Sequence, residues 1–452
     1  MTGTPLADFV HGLVIKCGIP VPSTWTRLNE VTLAQQFLRG INEYFYQTYN
    51  GIGTTNFNGE ELQYFSEFHK FWETNHKRIL NARINKTRVQ KAAESLARAV
   101  RQHGVDILGV ADETKGLAVK AIAQVRFFTA NQDFREPPED QYERYREDPS
   151  RFEAEVIADD PADFLKLLGM TRLSQTDKRL DFAKNAAQFL LARKIRAFDI
   201  ATSFGNDAVA IREALVSAGN MGYGLKKANM FIRDMVELQV WPELKRFDQV
   251  DVASDINTMK VALRARIIET DIPLLSSFLD VFCYQYGYID EASARAWRAV
   301  WEEWRRTDGK TAPASPCQMD YLLYRIGREY CKEMVVRYAC DKGHSFYHFG
   351  GGLRYCRLPE CAGKRVGVRI HGKVLPCQIP AKDLPREEGV MLLGDDNLLK
   401  TFNGVCPFET TCLPKGKDFS ILDPPKSISI KGETGWTQSY AYKGRGGGGM
   451  MG

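Results

Sequence analysis

The segment Gly222-Tyr-Gly-Leu-Lys-Lys-Ala-Asn229 lies between two stretches of helical periodicity, and it constrains the fold more than any other part of the chain. Two glycines one residue apart permit a tight turn with positive φ and a close approach of backbone to a ligand. A helix that starts directly after them presents unpaired N–H groups and the positive end of its dipole. Ala228 is small enough to let two helices pack closely. A helix pair joined by a short hairpin is expected, with Asn206-Asp207 supplying the N-cap of a helix through Leu215 and Val216. By itself, a Gly-x-Gly turn is as easily an ordinary connection between helices.

The surroundings point to a mainly α fold. From Asp163 to about Cys340 one helical pattern follows another, with Phe182, Ala186, Phe189, Leu190 and Ile195 on an apolar face. Residues 1–130 read as a helical, aromatic-rich region, in which Phe37, Tyr44, Phe45, Tyr46, Tyr64, Phe65, Phe68, Phe71 and Trp72 are taken as core. Acidic residues and prolines crowd residues 133–163, which suggests an acidic connector over 131–165. Residues 166–335 then form the helical core, and 336–452 a cysteine-rich region of loops and strands ending in a flexible glycine-rich tail. A chain of 452 residues is long enough for more than one domain. No apolar run is long enough to span a bilayer, and Met1-Thr-Gly-Thr-Pro5 has no basic stretch ahead of a hydrophobic one, so a cytoplasmic location is expected. The net charge of +5 permits a nucleic-acid partner without arguing for one.

Two further features carry chemistry. In Val252–Val261 an apolar stretch ends in Asp255 where a helix should start, with Asn257 two residues on and Lys260 five on. Such an aspartate caps its helix, and the same carboxylate is ionised and well oriented if it borders a cleft. Six of the ten cysteines fall after residue 339. In a reducing compartment that crowding favours a metal over disulfides. His344 and His348 lie between Cys340 and Cys356, and His371 lies near Cys377, Cys406 and Cys412.

The order Gly222-x-Gly224-x-Lys226-x-Ala228-Asn229 resembles the hairpin of the helix-hairpin-helix DNA glycosylase superfamily. Asp255 falls where that superfamily keeps its aspartate, with Trp241–Val250 as an insertion. The stretch Cys317–Cys331 resembles the late helix of the cluster-bearing members, which ends in the first cluster cysteine. These matches span residues 207–331, roughly a quarter of the chain. The resemblance implies a glycosylase-like helix-hairpin-helix core that binds DNA through Gly222, Gly224, Lys227, Asn229, Asn257 and Lys260. It implies that Lys226 and Asp255 act on a nucleotide turned out of the stack. It also implies a metal held by Cys331, Cys340, Cys356 and Cys361, as an iron–sulfur cluster or zinc, although the gaps are wider than in the familiar cluster.

Two reactions fit Lys226 and Asp255. In a glycosylase, Asp255 would stabilise charge at the sugar and Lys226 could form a Schiff base. The chain also resembles the phage glycosylase-like branch of amino acid:DNA transferases, the glutamyl- or putrescinyl-thymine pyrophosphorylases. There an amine, such as that of glycine, replaces the (pyro)phosphate on a 5-hydroxymethyluracil in thymidine hypermodification. The aromatic N-terminal region, the acidic segment and the cysteine-rich tail favour this second reading over repair or anti-phage excision. A non-catalytic DNA-binding module is a third reading, but it leaves Asp255 unused. If the hairpin meets DNA through backbone, replacing Gly222 or Gly224 should weaken binding and leave the fold largely intact.

Overall fold

The computed structural model describes residues 75–109, 116–132, 138–170, 176–272, 287–331 and 334–349, with short pieces between and after them and isolated positions before 75. Of the aromatic residues singled out before residue 75, Phe37 is described and buried. The others lie outside the described residues, as do Cys377 and the glycine-rich tail. The described residues are mainly helical. Among them no helix is long and apolar enough to cross a membrane.

The principal helices are α1 (Lys86–His103), α2 (Val119–Ala130), α3 (Pro138–Glu147), α4 (Ala154–Asp159), α5 (Pro161–Leu167) and α6 (Thr176–Arg193). After them come α7 (Ala208–Ser217), α8 (Leu225–Glu237), α9 (Ile256–Arg264), α10 (Gly287–Asp308) and α11 (Asp320–Glu329). The chain divides into two compact units built from interleaved stretches. A helical unit draws on residues 100–255 and 297–322, and a mixed unit on 1–99, 256–296 and 323–449.

The helical unit has a core made by α2 to α8. Phe127 sits at its centre, with Phe128, Phe189, Tyr223 and Phe231 at ring distances of 5.2 to 6.2 Å. Of the segment expected as an acidic connector, the described residues 138–165 contribute to this core. Tyr142, Phe152, Ile157, Phe164 and Leu165 are buried, and Phe164 packs edge-on against Phe128 and Phe152. Each large apolar side chain so placed contributes about 1.5–3 kcal/mol. The Asp-Pro pairs that suggested a linker are helix starts. Asp148 accepts from the Ser150 N–H ahead of a turn that begins at Pro149, and Asp160 accepts from the Asp163 N–H ahead of α5, which begins at Pro161. Proline suits the first helical position because its missing N–H is unpaired there anyway.

In the mixed unit, α1 is started by Asn85, whose side chain accepts from the Arg88 N–H, and it buries Val89, Ala92, Ala93, Leu96 and Ala97 on one face. This spacing of three and four residues is that of one helical face. A four-stranded sheet is formed by β1 (Met334–Cys340), β2 (Ser345–Phe349), β3 (Val368–Pro376) and β4 (Val390–Leu393), in the order β3-β1-β2-β4. β1 pairs antiparallel with β2 and β3, and β2 pairs parallel with β4. The buried cluster on this sheet consists of Tyr338, Cys340, Phe346, Cys356 and Cys361. Three of these five described residues are cysteines, and Val366 and Val368 pack against the cluster.

Candidate functional site

The segment 218–224 joins α7 to α8. Asp207 caps α7 by accepting from the Val209 and Ala210 N–H groups at 2.9 and 3.0 Å, as its sequence position suggested. Tyr223, between the two glycines, is buried; its hydroxyl donates to the Phe127 carbonyl at 2.6 Å and its ring stacks on Phe127. The glycines differ. Gly222 has φ +76°, and a Cβ there would stand 2.7 Å from the Asn131 carbonyl and 2.8 Å from the Phe182 ring. Gly224 has φ −92°, is exposed, and has open space where a Cβ would go. The expectation that either glycine can be replaced without harm to the fold therefore holds for Gly224 alone. Gly222 is needed to seat the hairpin on its neighbours.

The residues after the hairpin face different ways. Lys226 is exposed in the first turn of α8. Lys227 is half-buried and donates to the Asn131 carbonyl at 2.8 Å, which ties the hairpin to the end of α2. Asn229 is buried, and its side-chain oxygen has no hydrogen-bond partner. Asp255 is half-buried and immediately precedes α9. Asn257 and Lys260 follow on α9, both half-buried, and the Asn257 backbone lies against Gly327 of α11 with no room for a side chain there.

Lys226 and Asp255 both influence a buried carboxyl that the sequence reading did not select. Asp320, the first residue of α11, is buried. Burial pushes its carboxyl pKa up, Arg233 opposes this, Asp255 and Asp234 add to the rise, and Lys226 opposes it. These side chains all belong to the helical unit. Behind them runs a buried chain of charges. Arg126 pairs with Asp234, Asp234 accepts from Arg233 Nε at 2.9 Å and Nη2 at 2.6 Å, and Arg233 Nη1 pairs with Asp320. Burial works against a charged Arg233, yet Asp234 and Asp320 outweigh it and raise its pKa. The start of α11 is fixed by Ser315, whose hydroxyl donates to the Phe247 carbonyl at 2.6 Å and whose N–H donates to Gln318. Cys317 packs here as a buried thiol, which burial pushes well above its ordinary pKa. The clue available in sequence was Arg233-Asp234 within the apolar face of α8, since charges there must find partners.

A second constellation lies in the mixed unit. Cys340 ends β1, His344 precedes β2, Cys356 follows in the next connection, and Cys361 closes a short turn at Pro359–Cys361. Their ligand atoms all lie within 4.8 Å of one another, and the group could hold a metal ion. His344 Nδ1 is 3.4 Å from both Cys340 Sγ and Cys361 Sγ. Burial raises the Cys340 thiol, but the backbone N–H groups of Lys342 and His344 and the side chains of His344 and Cys356 outweigh it and bring it down to about 7.

Three of the four cysteines expected to bind metal are in this group, and His344 completes it. Cys331 is not a member. It is buried and acts on Cys412, whose own thiol is raised to about 12 by burial first and by Cys331 second. The signal for His344 was its position four residues after Cys340 across a tight turn. The chain matches no protein-family model, and no curated protein is significantly similar to it.

Proposed function

We propose that this chain is a DNA base-modifying enzyme, an amino acid:DNA transferase working on phosphorylated 5-hydroxymethyluracil, as in the thymidine hypermodification of phages. The observation that carries the proposal is that exposed Lys226 follows the open backbone of Gly224 at the start of α8, while half-buried Asp255 immediately precedes α9. It supports a site that combines a cation and a carboxylate, both of which influence the buried Asp320 of the charge network. The open backbone at Gly224 supports a phosphate contact beside the extruded nucleotide.

In this reading the amine nitrogen of the donor, glycine or a similar small amine, attacks the exocyclic methylene carbon of the base. A carbon–nitrogen bond forms as the carbon–oxygen bond to the (pyro)phosphate breaks. Asp255 accepts the proton the ammonium loses, and Lys226 binds the departing (pyro)phosphate. The reaction belongs in a cytoplasm, that of the host if the protein is viral, where DNA and the donor amine are both present.

The test is mass spectrometry of nucleosides from phosphorylated hydroxymethyluracil DNA incubated with protein and glycine. A thymidine derivative heavier by the amino acid is expected. Asp255→Asn should reduce its formation by about 10²–10⁴-fold while DNA binding persists, since that is the usual weight of a general base. An abasic product, or a Lys226-dependent adduct trapped by borohydride, would mean excision and would overturn the transferase reading.

A further inference from the structure

We propose that Cys340, His344, Cys356 and Cys361 form a closed, structural zinc site, in place of the four-cysteine site for an iron–sulfur cluster or zinc expected from sequence. The distances argue for a single ion. Zinc bonds of about 2.3 Å to sulfur and 2.0–2.1 Å to nitrogen place tetrahedral ligand atoms roughly 3.5–3.8 Å apart. His344 Nδ1 stands 3.4 Å from two of the sulfurs, and no pair in the group exceeds 4.8 Å. An iron–sulfur cluster needs its own core of several iron and sulfide atoms between the thiolates, and so needs them farther apart. The donor set agrees, because three thiolates with one imidazole is a common structural zinc set.

The site is also closed. Four protein ligands complete a tetrahedron and leave no position for a reacting water, and Cys340, Cys356 and Cys361 are each less than 5% exposed. The backbone presents the ligands in advance of the ion. The Cys340 N–H donates to the His344 carbonyl and the Gly343 N–H to the Cys340 carbonyl, both at 2.9 Å, which holds the first two ligands across the turn. Gly343 adopts φ +84°, a conformation that favours glycine. The Cys356 N–H donates to the Val366 carbonyl at 2.8 Å and fixes the third. On loading, zinc displaces the thiol protons to solvent and is bound by three thiolates and a neutral imidazole.

Cys331 and Cys412 are outside the site, so the proposal separates two groups of thiols that sequence alone runs together. The experiment is elemental analysis of the purified full chain with its visible spectrum, followed by X-ray absorption at the metal edge. One zinc per chain, no iron–sulfur absorption, and a shell of three sulfurs and one nitrogen are expected. Cys356→Ser and His344→Ala should lose the metal, His344→Cys should keep it, and Cys331→Ser and Cys412→Ser should retain a full equivalent. Iron with acid-labile sulfide, a folded wild type without metal, or metal lost in Cys331→Ser but kept in His344→Ala would each overturn the assignment. The absorption measurement uses the wild type alone, so misfolding of a variant does not blunt the test.

Discussion

Arg126, Arg233, Asp234 and Asp320 bring two positive and two negative groups together out of water, whereas Cys340, His344, Cys356 and Cys361 bring together four groups that all offer lone pairs. The first set neutralises itself, each carboxylate finding a guanidinium of the same chain. The second set is complementary to a cation. Burial alone does not distinguish them, since most members of both are nearly inaccessible to solvent. The difference lies in whether the chain supplies the counter-charge. A self-satisfied network needs no counter-charge from outside the chain. An unsatisfied ligand set is a folding element that waits for its ion.

The largest effect should come from withdrawing that ion. Structural zinc in small domains contributes about 10–16 kcal/mol of binding free energy that is also folding free energy. Chelation should therefore raise amide hydrogen exchange across β1, β2 and β3 by orders of magnitude, and restoring zinc should reverse it. Protection in α6, on the self-satisfied side of the comparison, should be unchanged by the chelator. Equal loss of protection in α6 and β1 would erase the distinction drawn between the two regions.

Next in size is the removal of one partner from the charge network. Arg233→Met leaves Asp320 buried without its cation and Asp234 with Arg126 alone. Such a break usually destabilises by about 3–5 kcal/mol, while replacing both partners of a pair with apolar groups is often near neutral. Denaturant unfolding should show the loss in Arg233→Met and recovery of most of it in Arg233→Met/Asp320→Leu. Asp320 gives the loss a pH dependence. Its pKa is already raised by burial in the folded state and would rise further without Arg233. A folded pKa above the unfolded one means the folded state holds the extra proton, so stability is greatest below the unfolded value and falls as pH rises through the folded one. The deficit of Arg233→Met should accordingly be smallest in acid and should grow toward neutral pH. A pH-independent deficit would mean that Asp320 is not the group left exposed to the loss.

The comparison also explains what was legible in the sequence. Capping and turn chemistry is local, so Asp207 and Gly222 could be read directly. The same rule misled over residues 131–165, where Asp148-Pro149 and Asp160-Pro161 look like linker punctuation but are N-caps followed by first-turn prolines. Counting charges there hid Tyr142, Phe152, Ile157 and Phe164, which are spaced irregularly because they come from several short helices. The buried network was illegible for another reason. Arg126 lies 108 residues from Asp234 and Arg233 lies 87 from Asp320, so Arg233-Asp234 signals a need for partners but nothing local names them. Three metal ligands were visible as cysteines, but choosing His344 over Cys331 required knowing which atoms converge.

The two hairpin glycines repeat the contrast on a smaller scale, one position completed by its own chain and the other open. Gly222→Ala should destabilise by about 1–3 kcal/mol, because its Cβ would press on the Asn131 carbonyl and the Phe182 ring in a positive-φ conformation. Gly224→Ala should change stability by less than about 1 kcal/mol. Its effect should fall on DNA instead, as weaker binding and a shallower dependence on salt if one phosphate contact is lost. Thermal melts and salt titrations of the two variants separate these outcomes. Loss of stability in Gly224→Ala, or unchanged salt dependence, would take the open glycine out of the proposed interface.

The smallest expected effect tests the surface counterpart of the buried network. Asp207 pairs with Arg246 at 2.5 Å while capping α7, but the Arg246 side chain is 47% exposed. Exposed pairs contribute only about 0–1 kcal/mol, whereas an N-cap contributes about 0.5–2 kcal/mol. Slight burial raises the Asp207 pKa, but the Ala210 N–H, the Arg246 side chain and the Val209 N–H outweigh it and bring the group below its ordinary value of 3.8. A folded pKa below the unfolded one means that this stabilisation is present in full above the unfolded value and is lost as pH falls through the folded one. Asp207→Ala should therefore lose about 1 kcal/mol at neutral pH, with the deficit narrowing in acid as the wild-type carboxylate is protonated. Asp207→Asn keeps a capping oxygen and loses only the charge, so its deficit should be a few tenths of a kcal/mol. Chemical denaturation from neutral pH down to about pH 3 distinguishes the two terms. If Asp207→Asn were as damaging as Asp207→Ala, the Arg246 pair rather than the cap would hold α7 in place, and an exposed ion pair would here carry weight that the comparison reserves for buried ones.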